Sequence, residues 1–206
     1  MRLLYGKERN EEMIMTTEKQ SILNTELASG VEDRIKAALS ALNEMLRAME
    51  ADQSSLQPLS ILLDNDDLEI RRSASWCIAK LAQNKVIHLA PLDKIILLLA
   101  DPDEEIKENA TWSLGELAGV GVGVIESIEP LNRSLEDESV QVRGMAAWAL
   151  GRLAERMDLA QQSSISRLEN LLIDKSQFVS KGAAYSLERV TKAFARNRAS
   201  PGDSES

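Results

Sequence analysis

A chain of 206 residues with 44% hydrophobic content can bury a sizeable core, while only 3% of its residues are aromatic. Asp and Glu (33) outnumber Lys and Arg (24), and the net charge of −9 argues against a general electrostatic hold on nucleic acid, which needs clustered cations. One cysteine, Cys77, excludes an internal disulfide, and with the single histidine, His88, it cannot supply an all-Cys/His metal site.

The opening "MRLLYGKERN" lacks the apolar core of a signal peptide, and no segment approaches the ~20 apolar residues that span a bilayer, so a cytoplasmic chain without a membrane partner is expected. Residues 1–15 read as a disordered arm. A first helix is expected over 17–28, and a second carries Val31, Ile35, Ala38, Leu42, Met45 and Met49 at 3/4 spacing. No aromatic residue marks this pair, which reads as a degenerate capping unit.

From residue 53 onward the pattern repeats. Apolar segments at 56–63, 92–99, 128–135 and 165–172 each precede a second helix that opens on Ile70, Ile106, Val142 or Val179. Counting from those four residues, positions +4, +7, +8 and +11 share one helical face. They hold Ala74, Cys77, Ile78 and Leu81, then Ala110, Ser113, Leu114 and Leu117, then Ala146, Ala149, Leu150 and Leu153, then Ala183, Ser186, Leu187 and Val190. This is a buried stripe with small residues where a neighbouring helix comes close. Asp67, Asp103, Ser139 and Ser176 stand three residues before each opening residue and suit the N-cap. The tail 197–206 reads as disordered, leaving one all-α repeat domain over 16–196.

An aromatic residue marks each second helix: Trp76, Trp112, Trp148 and Tyr185, at steps of 36, 36 and 37. The spacing alone suits tetratricopeptide and HEAT repeats about equally, but the tetratricopeptide pattern W-x-x-L-G is absent. Instead, "DPDEEIKENATWSLGELA" (101–118) and "DESVQVRGMAAWALGRLA" (137–154) closely resemble the short HEAT-like repeat also found in phycobilisome lyases, and the likeness covers roughly residues 53–192. The resemblance implies a right-handed α-solenoid of four clear hairpins plus the degenerate N-terminal one, with second helices lining a concave groove. It also implies a ladder of acidic-to-basic contacts. The basic residue after the opening position is Arg71, Lys107 and Arg143 but Ser180 in the last repeat, so this ladder is expected to fray at the C-terminal end. HEAT-repeat enzymes that hold metal use paired His-Glu motifs, which a chain with His88 alone lacks.

At position +6 the four aromatics lie about 150° from the centre of the core stripe, which places them in a column on the groove face. They are expected to anchor an extended peptide or a helix of a partner protein, since Trp and Tyr are the usual interface anchors. The alternative use is stacking of each ring on the next repeat. Flanking columns at +2 and +10 read Arg72 and Lys80, Glu108 and Glu116, Gly144 and Arg152, Lys181 and Arg189. Their sign order, positive, negative, positive, positive, would set a partner's register. Lateral pairing, Arg72 with Glu108 and Glu116 with Arg152, would use the same charges internally.

The remaining motifs carry little chemistry. "GVGVGV" (119–124) follows a helix and lacks the Lys-Ser/Thr of a phosphate loop, so it reads as a turn. Acidic clusters at 64–69, 101–105 and 136–138 lie before the second helices, where they complement the helix N-termini. Cys77 falls on the core stripe without a general base. No catalytic constellation and no cofactor site emerges, so a scaffold or adaptor, not an enzyme, is expected. Two other functions compete: an accessory lyase-like or chaperone-like factor, implied by the resemblance, and nucleic-acid binding through Arg189, Lys192, Arg196 and Arg198.

Overall fold

The computed structural model describes residues 2–199, with side chains from residue 14 onward. Among the described residues there are ten α-helices, three short 3-10 turns and no strand. The chain divides after Ile87 into two compact units, and each is a short α-solenoid of helical hairpins.

In the first unit, α1 (Arg2–Leu27) pairs with α2 (Glu32–Arg47), and α3 (Leu56–Leu62) with α4 (Leu68–Gln83). Residues 2–15, expected as a disordered arm, belong to α1. No proline interrupts that stretch, so a helix nucleated on its packed C-terminal half propagates backwards at little cost. That half is fastened by Gln20, which is buried and donates to the carbonyl of Asp52 (3.0 Å) and to Ser55 Oγ (2.9 Å).

The stripe on α2 is shifted from its expected membership. Ile35, Ala38, Leu42 and Met45 are buried, joined by Leu39 and Leu46, whereas Val31 and Met49 are exposed. Val31 precedes the helix and Met49 follows it in a left-handed conformation (φ 61°), so neither continues the helical face. The pair is nevertheless a true repeat, because Lys36, the residue after Ile35, reaches Asp67 before α4 (2.9 Å).

In the second unit the hairpins are α5 (Leu92–Leu97) with α6 (Glu104–Gly119), α7 (Ile128–Ser134) with α8 (Val140–Met157), and α9 (Gln162–Leu171) with α10 (Gln177–Ala199). The second helices α6, α8 and α10 pack side by side in one layer, and α7 packs on α9 in the other. Across both units, every stripe residue from Ile70 to Val190 is buried except Leu187, which is half-buried. Of the expected tail, residues 197–199 are helical and 200–206 lie outside the described residues.

Caps form at three of the four expected positions. Asp67 accepts from the Ile70 N–H, Asp103 from Ile106, and Ser139 from Gln141 and Val142. A second device stands two residues earlier. Asn65, Asp101, Asp137 and Asp174 each accept the backbone N–H of the capping residue or its equivalent, Asp67, Asp103, Ser139 and Ser176. Each inter-helix loop is thus tied before its helix begins.

The acidic-to-basic ladder uses these same aspartates. Lys107 pairs with Asp137, and Arg143 meets Asp174 at 2.9 Å while donating to the Asp137 and Glu138 carbonyls. The expected fraying at the last repeat does not occur, because within each unit the cation at a junction comes from the preceding repeat. Ser180 is therefore not the residue that the α8–α10 junction needs. The "GVGVGV" stretch is a helix stop, with Gly121 at φ 81° and the Val122 N–H returning to the Leu117 carbonyl (2.9 Å).

Two expectations follow for stability. Leu150→Ala, at a fully buried position, should cost about 2–5 kcal/mol by opening a cavity. Ser139→Ala should cost only about 1 kcal/mol by removing a cap. Urea titration of both variants checks the order. A second test concerns Asp67, whose carboxyl is pulled down to about 2 by the Lys36 ammonium and the Ile70 N–H. Its folded value lies below the unfolded one near 3.9, so its contribution is present above pH ~4 and is lost as pH falls toward 2. Asp67→Asn should flatten the fall in melting temperature across that window, as read by circular dichroism.

Candidate functional site

The second-helix layer of the second unit carries an open, mainly apolar pocket of about 630 Å³. It is lined by Trp112 and Glu116 from α6, Gly144, Met145 and Trp148 from α8, and Gln177, Phe178, Lys181 and Gly182 from α10. None of these residues belongs to the core stripe, and the pocket therefore opens on the face that turns away from the first helices.

Glycine makes the pocket possible. A side chain on Gly115 would fall inside the Trp148 ring, so this ring lies directly on the bare backbone of α6. A side chain on Gly144 would likewise collide with Phe178, whose ring lies on α8. Each ring is supported by the preceding helix without being enclosed: Trp148 is half-buried and Phe178 is 46% exposed. Gly182 differs, since a Cβ there meets only the Gly144 carbonyl at 3.7 Å, and the missing side chain simply leaves the pocket open.

Of the expected site residues in this unit, the pocket brings together Trp112, Trp148, Glu116 and Lys181. Tyr185 is not part of it. Its hydroxyl reaches Glu155 at 3.4 Å and the Arg189 guanidinium covers its ring at 3.3 Å. Arg189 also meets Glu155 (3.3 Å), while Arg152 lies over Trp148 at 5.7 Å, meets Glu155 at 3.8 Å, and leaves its buried Nε without a partner. Tyr185 and Arg189 therefore clasp α10 to α8 through Glu155, which also engages Arg152 within α8.

The expected lateral pair of Glu116 with Arg152 is not made. Glu116 instead accepts from the Trp112 indole N–H (3.2 Å). Glu108 accepts from Ser139 Oγ at 3.4 Å, and burial, with Glu104 and Glu105 nearby, pushes its carboxyl up. Trp76, Arg72 and Lys80 belong to the first unit, where Arg47 covers the half-buried Trp76 ring at 5.2 Å and Lys80 donates to Gln83 (2.5 Å).

The column of position +6 thus becomes a diagonal. The pocket takes positions +6 and +10 from α6, +2, +3 and +6 from α8, and −2, −1, +2 and +3 from α10. Phe178, at −1, escaped the periodicity argument, yet its signal was present: the equivalent positions hold Glu69, Glu105 and Gln141. Cys77 sits in the first unit's core, where burial pushes its thiol up to about 12, leaving it protonated and unreactive. Among the described residues, no group of three or more His, Cys, Asp and Glu side chains could hold a metal ion, and no helix is long and apolar enough to cross a membrane.

The glycine geometry sets up a contrast. Gly182→Ala should raise the unfolding free energy by about 0.5–1 kcal/mol, because alanine favours the helix and has room. Gly115→Ala should lower stability by more than that gain, because the Trp148 ring must move. Chemical denaturation of the two variants beside wild type gives both signs.

Comparison with known proteins agrees with this architecture. Residues 92–188 match the model of HEAT repeats, and residues 34–128 match that of non-SMC mitotic condensation complex subunit 1. These matches carry the HEAT-repeat part of the resemblance, while its phycobilisome-lyase part rests on the repeat motifs alone. No curated protein matches the chain. Among solved structures, the chain is similar to a designed armadillo repeat protein in complex with the peptide (KR)4, at 25% identity and a TM-score of 0.69, covering 88% of this chain and 86% of that one. It is also similar to computationally designed armadillo repeat proteins for modular peptide recognition, at 22% identity and a TM-score of 0.65, covering 88% of this chain and 92% of that one.

Proposed function

We propose that this chain is a protein-interaction scaffold or adaptor, and that the pocket between α6, α8 and α10 receives an extended peptide or a helix of its partner. The observation that carries this reading is an apolar cavity of about 630 Å³ walled by two tryptophans, a phenylalanine and a methionine, on a chain in which only 3% of residues are aromatic. Its size falls within the range of built ligand sites, ~300–1,000 Å³. Half-buried aromatic anchors of this kind supply most of the binding energy at protein interfaces. The neighbour solved with (KR)4 is a repeat protein of similar fold with a peptide bound, which supports the same use here.

Nucleic-acid binding has less support from the basic stretch near the C-terminus. Arg189 meets Glu155, Lys192 meets Glu188, and Arg196 pairs with Asp158. Those charges are already matched. The accessory-factor function rests on the motif resemblance without a matching feature of the pocket.

Capture from native lysate tests the scaffold function. Met145→Glu places a charge in the pocket, and Gly182→Arg fills it from a position with room for a Cβ. With melting temperatures close to wild type, both variants should recover at least tenfold less of the partner that wild type retains. Equal recovery would move the binding surface elsewhere on the chain.

A further inference from the structure

The reading of the pocket as a protein-binding site leaves open what sequence it takes, and its charges narrow that choice. Three of the unit's five groove charges are used internally: Arg152 and Arg189 in the clasp around Glu155, and Glu108 on Ser139. Two remain on the rim. Glu116, on α6, forms no ion pair among the described residues, and its bond from Trp112 engages Oε1. Lys181, on α10, is exposed and forms neither a hydrogen bond nor an ion pair among the described residues. One negative and one positive side chain therefore face each other across an apolar floor of Met145, Trp148 and Phe178.

Resting on the scaffold function proposed above, we infer that the occupant is a protein segment with a bulky apolar anchor, a basic residue on the α6 side and an acidic residue on the α10 side. An apolar anchor gains from leaving water for the pocket floor. Opposite charges at the two ends then fix the direction in which the segment lies, since the reversed segment brings like charges together at both ends. Two helix spacings of 8–10 Å separate α6 from α10, so an extended segment rising ~3.3 Å per residue carries its two charges about five residues apart. This occupant differs from a uniformly basic peptide, which Lys181 would repel at one end.

A random dodecamer library displayed on phage, selected on the full chain and counter-selected on Gly182→Arg, tests the inference. The expected winners share an apolar anchor between a Lys or Arg and an Asp or Glu, in one fixed order. A synthetic winner, followed by fluorescence anisotropy, should bind Glu116→Gln and Lys181→Gln each about two- to fivefold more weakly, the range for one exposed ion pair. Glu116→Gln keeps an acceptor for Trp112, so its effect isolates the charge. The double variant Glu116→Lys with Lys181→Glu should prefer the peptide with its two charges exchanged. Winners with an anchor but no ordered charges, or affinities unmoved by the two Gln variants, would overturn the charge-directed occupant and leave the pocket as a binding site. No enrichment over Gly182→Arg would overturn both.

Discussion

Close approach between consecutive second helices governs the second unit, and bare backbone at Gly115, Gly144 and Gly151 is what permits it. Each glycine faces a side chain of the next helix: Trp148 on Gly115, Phe178 on Gly144 and Ser186 on Gly151. With any side chain in place of these hydrogens, the rings would have to stand off, and the dispersion contacts along α6, α8 and α10 would thin. The same contacts turn two aromatic rings into walls, each with one side spent on packing and another left facing the pocket. Stacking, one of the two uses that the sequence offers for its tryptophans, therefore leaves the other side of the Trp148 ring open for the binding proposed above.

The fold was legible because its determinants are local and periodic. A five-position apolar stripe, a cap three residues before it and a 36-residue step leave few arrangements other than stacked hairpins. Even the degenerate N-terminal repeat declares itself once Lys36 is compared with Lys107 and Arg143, each the residue after the opening position and each tied to an aspartate of the next loop. What the pattern does not encode is how long an unbroken helix runs when nothing stops it, and so α1 extends back to Arg2. It also misjudges Val31 and Met49, apolar residues at helix ends where the regular face has already been lost.

The site was legible only in part, for a geometric reason. Periodicity assigns equivalent positions to equivalent faces, which predicts a straight column from Trp112 through Trp148 to Tyr185. The pocket instead steps back by about four residues per helix, on the order of 6 Å of helical rise. A shift between neighbouring helices is set by how their side chains interdigitate, which no single helical wheel contains. Tyr185 falls off the end of that diagonal and Phe178 comes onto it.

Charge follows the same rule at a finer scale. The columns at +2 and +10 predict a sign for each repeat, but a sign available to a partner must survive the protein's own pairing. Glu155 decides the outcome. By engaging both Arg152 and Arg189 it withdraws two cations from the groove, and with them the order of positive, negative, positive, positive that the columns predict. Glu116 and Lys181 stay available because neither has an opposite charge paired with it among the described residues. The pocket thus arises from departures from the repeat: a glycine at 182 where Met145 stands one repeat earlier, a phenylalanine at 178 where other repeats are polar, and a lysine at 181 with no carboxylate paired to it among the described residues.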